Sequence, residues 1–533
     1  MSEGVDSFQK DGARRALFYQ SVDRHPEEVA EIFADSDLDT GGFPLSGQKP
    51  GLSWERAASC PSTLFFSLAL AMALALPLPG CASPAPEEGA PLAVGSGGGT
   101  FRTPEECYLD WARPTFPKEE HATRRERMAG LLRSSGDVFL VPSLPGRSGG
   151  ETFRQLDDFL YFTGLELPDA MLVIDGGSGE STVFAPGRDA RFESATRPND
   201  FPGRPLADDP AIAAAAGIGI RPIEELEPLL LEWVRSGRTL RVRPARAGEL
   251  EEIETSFTGR PDPVEVLRLH LVRIVPDARV ASAHDEVARL RMVKSQAEIA
   301  VIRRAVSITA ESMREAARDV RPGVTERDLE AVLEAAFKRG GAQRPAFDSI
   351  IKSGENSLWP WRILAAHSDR RNRALEKGDL VIFDVGCELD HYASDVGRTF
   401  PASGKFTEAQ ARALRLSTAV ADAVMAAVRP GITFSELKEI AVLATPEGKR
   451  HCMQTGLFFG HHIGLDVGDP SLDIPLEPGM VFTIEPWYYD HEEGIAVFVE
   501  DDVLVTANGV ENLTRGLPRR IEELEAMTGG GGW

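Results

Sequence analysis

Two aspartates on neighbouring β-like segments constrain this chain more than any other feature of its sequence. Residues 379–386 (DLVIFDVG) and 392–400 (YASDVGRTF) are rich in β-branched and aromatic residues, and they flank the turn-like residues 387–391 (CELDH). This pattern predicts a β-hairpin with Asp384 on one strand and Asp395 on the other. Two adjacent carboxylates repel each other, whereas a divalent cation stabilises both as ligands. The pair therefore predicts a metal site at the surface of a sheet.

Three more candidate ligands lie downstream of this pair: His461 in GHHIGLDVGD, Glu485 in TIEP and Glu500 in VFVEDD. Together, four carboxylates and one imidazole form an oxygen-rich donor set, which favours Mn²⁺, Co²⁺ or Fe²⁺ over a zinc site built from thiolates. Manganese is the ion that we predict. The alternative interpretation is a set of unrelated acids that face solvent, as most isolated Asp and Glu side chains do.

The order of these motifs resembles the five-ligand signature of the pita-bread metallopeptidases, which include aminopeptidase P, prolidase and methionine aminopeptidase. The resemblance covers about residues 285–514 and includes the sequence around the ligand motifs, such as LEPGMVFTIEP. Residues 157–175 (DDFLYFTGLELPDAMLVID) resemble a segment of the N-terminal domain of aminopeptidase P, prolidase and creatinase, a domain that methionine aminopeptidase lacks. The resemblance implies an α/β (α+β) fold in which a creatinase-like α/β domain precedes a pita-bread catalytic domain.

The resemblance also implies a role for each of the five residues around two divalent metal ions, Mn²⁺ first and Co²⁺, Fe²⁺ or Zn²⁺ as alternatives. Asp384 would chelate one ion, and Asp395 and Glu500 would bridge the pair. His461 and Glu485 would complete the ligand set of the second ion, and Glu485 would also shuttle a proton. Two metal ions lower the pKa of a bridging water to yield a hydroxide nucleophile, and they polarise the scissile carbonyl.

His367 is the remaining catalytic candidate. It precedes Asp384 by seventeen residues, the offset at which the resembled family has a substrate-contacting histidine. The resemblance therefore implies a hydrogen bond from His367 to the oxyanion or to the leaving nitrogen of the substrate. A polar loop histidine without a catalytic role is the plain alternative.

The activity implied by the resemblance is release of the first residue from peptides with proline at the second position. Two departures from the family pattern bear on the substrate. Gly468 stands where family members commonly have a second histidine, and Phe498 stands where prolidase-like members often have an arginine. Because a guanidinium is the usual partner of a carboxylate, Phe498 favours longer peptides over dipeptides. An Xaa-Pro dipeptidase and a non-catalytic or altered-substrate relative are the alternatives.

Other residues near the motifs have structural interpretations. His462 is interpreted as structural or as a support for the ligands, because a ligand at this position would spoil the His-x-x-Gly-Leu spacing. Trp359, Pro360 and Trp361 lie just before His367. They either line an apolar pocket for a proline ring or pack in a surface loop.

The apolar run 64–78 (LFFSLALAMALALPL), followed by Cys81, looks like a lipoprotein signal segment. Its length suits a signal better than a membrane span, which needs about 20 residues. The sequence therefore predicts a lipid anchor at Cys81 and a location in the cell envelope, periplasmic or membrane-anchored. A retained signal-anchor helix and a chance apolar run in a cytoplasmic protein are the alternatives.

Composition shifts divide the chain into five predicted segments. Alternating short apolar runs and helical stretches indicate an α/β domain, and the amphipathic pattern after residue 285 indicates the long helices that open the next domain. The predicted segments are an uncertain N-terminal extension with the signal-like run (1–81), a flexible linker (82–100), the N-terminal domain (101–279), the catalytic domain (280–520) and a flexible tail (521–533).

The charge and the cysteines exclude some classes of partner. With 58 Lys and Arg against 82 Asp and Glu, the net charge of −24 repels a phosphate backbone, so no nucleic-acid partner is predicted. The five cysteines form no C-x-x-C pair, which argues against a structural zinc site or a disulfide framework. Dimers are common in the resembled family, so a homodimer is one expectation.

Overall fold

The computed structural model describes residues 114–145, 153–186, 210–244, 263–359, 372–453 and 460–529. The signal-like segment with Cys81, the linker 82–100, and the residues Pro360, Trp361 and His367 lie outside the described residues. Within the described ranges, no helix combines the length and apolarity that are needed to cross a membrane.

Strands and helices alternate in the N-terminal domain, as the sequence predicts. In chain order they are α1 (Lys118–Leu132), β1 (Val138–Pro142), α2 (Asp157–Thr163), β2 (Met171–Asp175), β3 (Ser181–Ala185), α3 (Pro210–Ala216), β4 (Gly219–Pro222), α4 (Leu226–Arg235), β5 (Leu240–Val242), α5 (Pro263–Ile274) and β6 (Val280–Ser282). The strands form one mixed sheet in the order β4-β3-β2-β1-β5-β6. The pairs β1–β2 and β2–β3 are antiparallel, and the other three pairs are parallel.

Strand β1 shows how this sheet is covered on both faces. Val138 and Leu140 pack with Leu230 of α4 in one apolar cluster, whereas Phe139 and Val141 belong to the larger cluster that also includes residues of α1 and α2. Successive side chains of a strand point to opposite faces, so one continuous apolar run buries both faces of the sheet.

The described part of the catalytic domain combines long helices with four small antiparallel sheets. Its elements are α6 (His284–Met292), α7 (Gln296–Ala317), α8 (Glu326–Arg339), β7 (Arg344–Pro345), β8 (Ile350–Ser353), β9 (Leu380–Val385), β10 (Cys387–Leu389), β11 (Tyr392–Ala393), β12 (Val396–Pro401), α9 (Glu408–Ala427), α10 (Phe434–Ala444), α11 (Arg450–Met453), β13 (Val481–Ile484), β14 (Trp487–Asp490), β15 (Ile495–Phe498), β16 (Asp501–Thr506), β17 (Gly509–Asn512) and α12 (Ile521–Met527). The sheets have the strand orders β12-β9-β8, β13-β16-β17, β11-β10-β7 and β14-β15.

The amphipathic helical pattern predicted after residue 285 is confirmed as α6 and α7, and side-chain capping explains where α7 and α8 begin. Ser295 accepts a hydrogen bond from the backbone of Glu298, whose side chain accepts one from the backbone of Ser295. Thr325 and Asp328 form the same reciprocal pair before α8. Each pair satisfies two backbone donors that the first helical turn would otherwise leave without a partner.

The predicted hairpin is confirmed, but its turn differs from the prediction. β9 pairs antiparallel with β12, and Gly397 lies opposite Asp384. The residues predicted as a turn instead begin with strand β10, which pairs with β11 in a separate small sheet. The reversal is confined to Asp390 and His391, whose φ angles are 49° and 69°. Aspartate tolerates this left-handed region better than most residues, because its short side chain can hydrogen-bond locally.

Two other predictions need correction. The β-like run 495–505 (IAVFVEDDVLV) predicts one strand, but it divides into β15 and β16 with Glu500 at the break. The flexible tail predicted over 521–533 is wrong for its first part, which forms α12. This short helix is held by tertiary contacts, because Leu524 is buried and Glu525 accepts a hydrogen bond from the backbone of Phe406 at 3.0 Å.

Arg291 on α6 joins the N-terminal domain to the loop that follows His461. Its guanidinium donates to Asp158 Oδ1 at 2.8 Å and also pairs with Asp157 and Asp469. Lys294 lies 3.1 Å from the second carboxylate oxygen of Asp469, and the side chains of Arg291 and Asp469 are each 1% exposed. Because a buried charge is stable only when it is paired, removal of Arg291 takes one cationic partner from each of three carboxylates.

We therefore expect Arg291→Met to lower the free energy of unfolding by about 3 kcal/mol, at the lower end for breaking a buried ion pair. Arg303→Met is the matched control, because Arg303 is 42% exposed and pairs with Glu511 at the surface. Its effect should stay within about 1 kcal/mol. Chemical denaturation followed by circular dichroism measures both changes, and equal effects of the two substitutions would contradict this role of Arg291.

Candidate metal centre

Asp384 is positioned by the middle strand of a three-stranded sheet. β9 lies between β8 and β12, and the register places Asp384 opposite Ile350 on one side and Gly397 on the other. The residue is 4% exposed. Hydrogen bonding on both edges of the strand thus fixes the point at which this carboxylate leaves the sheet.

Asp395 lies one residue before β12 and is also 4% exposed. Its backbone N–H donates to Asp502 Oδ2 at 3.0 Å, which anchors the chain at this position. Its Oδ2 lies 3.4 Å from His461 Nε2. Its Oδ1 is buried and has no hydrogen-bond partner among the described residues.

His461 is anchored to the strand that precedes Glu485. Its backbone N–H donates to Thr483 Oγ1 at 3.1 Å, and its carbonyl accepts from the backbone N–H of Thr483 at 2.8 Å. The neighbouring Gly460 packs so closely here that a Cβ would lie 2.0 Å from the Thr483 carbonyl oxygen. The imidazole Nε2 lies 3.2 Å from Glu485 Oε1.

The carboxylate of Glu485 is held at both of its oxygens. Oε1 accepts a hydrogen bond from Thr483 Oγ1 at 3.0 Å, and Oε2 accepts one from the indole Nε1 of Trp487 at 3.1 Å. Glu485 is 3% exposed. Its orientation is therefore set by neutral donors within the protein.

Glu500 reaches the cluster because the strand breaks at this residue. Its backbone N–H donates to the Gly397 carbonyl at 3.0 Å, so it pairs with the strand that follows Asp395. A Cβ at Gly397 would lie 2.2 Å from the ring of Phe498 and 2.9 Å from the Cβ of Glu500, so the close approach requires glycine. Both carboxylate oxygens of Glu500 are buried and have no hydrogen-bond partner among the described residues.

The structure thus brings the five predicted residues together. Asp395, His461 and Glu500 each offer one ligand atom, and these three atoms lie within 4.8 Å of one another. Glu485 contacts His461, and the charges of Asp395 and Glu485 both act on Asp384. That these residues bind metal stays a prediction, and their geometry is compatible with it.

The electrostatics of the cluster favour a bound cation. Burial raises the pKa of Asp384 well above its usual value, and the charges of Asp395 and Glu485 raise it further. Burial and the neighbouring carboxylates likewise raise the pKa of Glu500 well above its usual value. Burial also raises the pKa of Glu485, to about 7, although the nearby His461 opposes the increase. Divalent cations would stabilise the charged carboxylates that these shifts disfavour.

The cluster therefore fits a metal centre on three observations. It offers an oxygen-rich donor set with one imidazole, which is typical of sites for Mn²⁺ and related ions. Three of its buried carboxylate oxygens have no hydrogen-bond partner among the described residues. The two carboxylate oxygens of Glu485 are oriented by hydrogen bonds from Thr483 and Trp487, as outer partners orient ligands in established metal sites.

Comparison with known proteins agrees with this site. Residues 300–507, which contain all five cluster residues, match metallopeptidase family M24. The catalytic domain belongs to this family. Residues 121–230 match the N-terminal domain of aminopeptidase P, so the metallopeptidase is of the aminopeptidase P type. The expected order, a creatinase-like domain followed by a pita-bread catalytic domain, is confirmed.

Relatives of the metallopeptidase cover most of its length. The chain is 29% identical over 449 residues to the Xaa-Pro aminopeptidase of Escherichia coli, a match that covers 77% of this chain and 97% of that protein. It is 28% identical over 482 residues to the Xaa-Pro dipeptidase of Homo sapiens, covering 77% and 93% of the two chains.

Solved structures of aminopeptidase P share the fold. The aminopeptidase PepP of Pseudomonas aeruginosa superposes with a TM-score of 0.64 at 28% identity, covering 78% of this chain and 98% of that chain. A zinc-substituted E. coli aminopeptidase P in complex with product gives a TM-score of 0.63 at 28% identity, covering 77% and 98%.

Three other residues that the sequence singled out lie outside the ligand set. His462 is buried between the rings of Phe434 and Phe482, with centroid distances of 5.3 and 5.8 Å. Burial lowers its pKa to about 3, so it is neutral at physiological pH. Gly468 faces open space, since a Cβ there would meet no atom within 4 Å. Phe498 is fully buried and stacks on Trp487.

The sequence did not identify the residues that orient the ligands. Asp502, Thr483 and Trp487 hydrogen-bond to Asp395 or Glu485. One signal was present, because Thr483, Glu485 and Trp487 alternate along the chain with the period of one face of an extended strand. Asp502 carries no such signal, since its contact with Asp395 depends on how distant strands pair.

Without metal, the free energy of unfolding should fall by about 2 kcal/mol between pH 7.0 and pH 8.5. Burial lowers the pKa of His461, but the hydrogen bond with Asp395 and the charge of Glu485 outweigh burial and raise the pKa to about 10. A raised pKa contributes stability below the unfolded value of 6.5, and this stability is lost as the pH rises towards 10.

With saturating Mn²⁺, we expect this decline to disappear, because the metal replaces the proton of His461 and binds more tightly as the ligands lose protons. Denaturant titrations at the two pH values, with and without the ion, measure the difference. A metal-independent pH profile would contradict the assignment of His461 to the centre.

Proposed function

We propose that this metallopeptidase releases the N-terminal residue from peptides whose second residue is proline. The observation that carries the proposal is the convergence of the partly exposed His461 with four buried carboxylates, of which Asp395 and Glu500 have oxygens without hydrogen-bond partners among the described residues. The named activity of the E. coli relative, of which the chain covers 97%, supports the substrate class.

Two divalent ions, with manganese as the proposed ion, would be held by the five residues of the cluster. Asp384 would bind one ion, and Asp395 and Glu500 would contact both. His461 and Glu485 would complete the other. When bound, such an ion pair lowers the pKa of water and polarises a carbonyl group.

The residues of the chain itself supply orientation and proton transfer. The Glu485 carboxylate would accept a proton and return it, the role that the family resemblance implies. Thr483 and Trp487 hold its two oxygens during this exchange. His367, the proposed contact to the oxyanion or leaving nitrogen, lies outside the described residues.

The proposed substrates are longer peptides rather than dipeptides. Phe498 offers a buried ring where an arginine would pair with the carboxylate of a dipeptide. Without such a pair, a substrate carboxylate in the site would be partly desolvated and would have no guanidinium partner. A substrate whose chain continues past proline avoids this charge.

The activity test uses the full chain, stripped of metal and then supplied with Mn²⁺, with Ala-Pro-Ala as the substrate. We expect metal-dependent release of alanine. Glu500→Gln changes a proposed metal ligand. It should therefore lower kcat/KM by more than about a hundredfold, which is the upper range for the loss of a mere outer partner of a ligand. Glu408→Gln is the matched control, because Glu408 is 71% exposed on α9 and should leave the activity unchanged. Bound metal without alanine release would contradict the proposal.

A second measurement tests the preferred substrate length. Ala-Pro and Ala-Pro-amide differ only in the terminal carboxylate, so the ratio of their kcat/KM values isolates the effect of that charge. We expect the amide to be cleaved at least about tenfold faster, which corresponds to about 1.4 kcal/mol. Faster cleavage of the free dipeptide would instead indicate an Xaa-Pro dipeptidase.

A further inference from the structure

Trp487 contacts the candidate metal centre without being one of its five ligands. Its indole N–H donates to Glu485 Oε2 at 3.1 Å, and both residues are 3% exposed. The other oxygen, Oε1, accepts from Thr483 Oγ1 at 3.0 Å and lies 3.2 Å from His461 Nε2. The indole thus contacts the carboxylate oxygen that neither Thr483 nor His461 contacts.

The indole itself is held by two aromatic neighbours. Trp487 lies opposite Phe498 in the β14–β15 pair, and the two rings stack with their centroids 3.5 Å apart and their planes inclined by 20°. Tyr489 also stacks on Trp487, at 5.5 Å and 11°. A large ring packed in this way has little rotational freedom, so the direction of its N–H is fixed by the strand pair.

A neutral donor in this position differs physically from a cationic one. An indole N–H has no acceptor function and no charge, so it orients a carboxylate and leaves its negative charge available for a cation. An arginine or lysine at the same place would compensate that charge and compete with a metal ion. The contact is also buried, where hydrogen bonds are electrostatically stronger than in water.

We propose that Trp487 is a positioning residue that fixes the Glu485 carboxylate for metal binding. The Trp487–Phe498 stack provides the rigid support, and the indole N–H provides the contact. This inference rests on the proposed metallopeptidase function, because Glu485 is a metal ligand only in that function.

The test uses Co²⁺ as the probe and compares wild type with two variants of the full chain. Trp487→Phe keeps an aromatic ring in the stack and removes the N–H donor. Tyr489→Phe is the control, because it removes a polar group from the same stack and leaves the bond between Trp487 and Glu485 intact. Titration calorimetry measures Co²⁺ affinity, and the visible d–d absorption band of Co²⁺ reports the geometry of its ligands.

In Trp487→Phe, one of the two Co²⁺ ions should bind about tenfold more weakly, at the lower end for the loss of an outer partner of a ligand. The d–d band should change in position or intensity. Tyr489→Phe should match wild type in both readouts. A merely structural role would change the thermal midpoint without changing the spectrum of the loaded site.

Incorporation of benzothienylalanine at position 487 covers the case in which Trp487→Phe fails to fold. This analogue has sulfur in place of the indole N–H and retains the shape of tryptophan, so it should show the same tenfold loss. Unchanged affinity and spectrum in a folded variant would overturn the positioning role while leaving the proposed function intact. Failure of wild type to bind Co²⁺ at this cluster would overturn the proposed metal centre and this inference together.

Discussion

Repulsion among buried carboxylates is the constraint on which the arrangement of the catalytic domain depends. Asp384, Asp395, Glu485 and Glu500 are each no more than 4% exposed. Two other buried acids of the domain are paired with arginine: Asp501 with Arg398 at 2.8 Å, and Asp469 with Arg291. The cluster has a histidine as its cationic contact instead. Divalent ions would supply the further positive charge that stabilises these four buried acids in their charged forms.

The strands bring these acids together through a few tight backbone contacts. Gly386 crosses so close to Ser394 that a Cβ would lie 1.8 Å from its carbonyl oxygen, and Gly397 admits the bridge to Glu500. Strand pairing also positions Thr483 and Trp487, whose side chains donate hydrogen bonds to Glu485. The free energy that favours this assembly comes from the surrounding apolar core, which offsets the unfavourable burial of charge.

The sequence predicted the hairpin and the five cluster residues because local pattern and motif order are sufficient for both. The strand break at Glu500 was missed, because residues 495–505 form a continuous β-like run in the sequence. The break depends on the pairing of Glu500 with Gly397. The helix α12 was missed because a helix of seven residues is not stable by itself. It depends on the burial of Leu524 and on the hydrogen bonds that Lys405 and Phe406 donate to Glu525. The bond from Trp487 to Glu485 was missed because a sequence does not show where a side chain points.

Anomalous diffraction from crystals soaked in Mn²⁺ tests the central claim most directly. The account predicts two manganese peaks enclosed by Asp384, Asp395, His461, Glu485 and Glu500, with Asp395 and Glu500 in contact with both. Crystals that show manganese only at other sites, or no manganese under saturating conditions, would contradict the assignment of this cluster as a dinuclear metal centre.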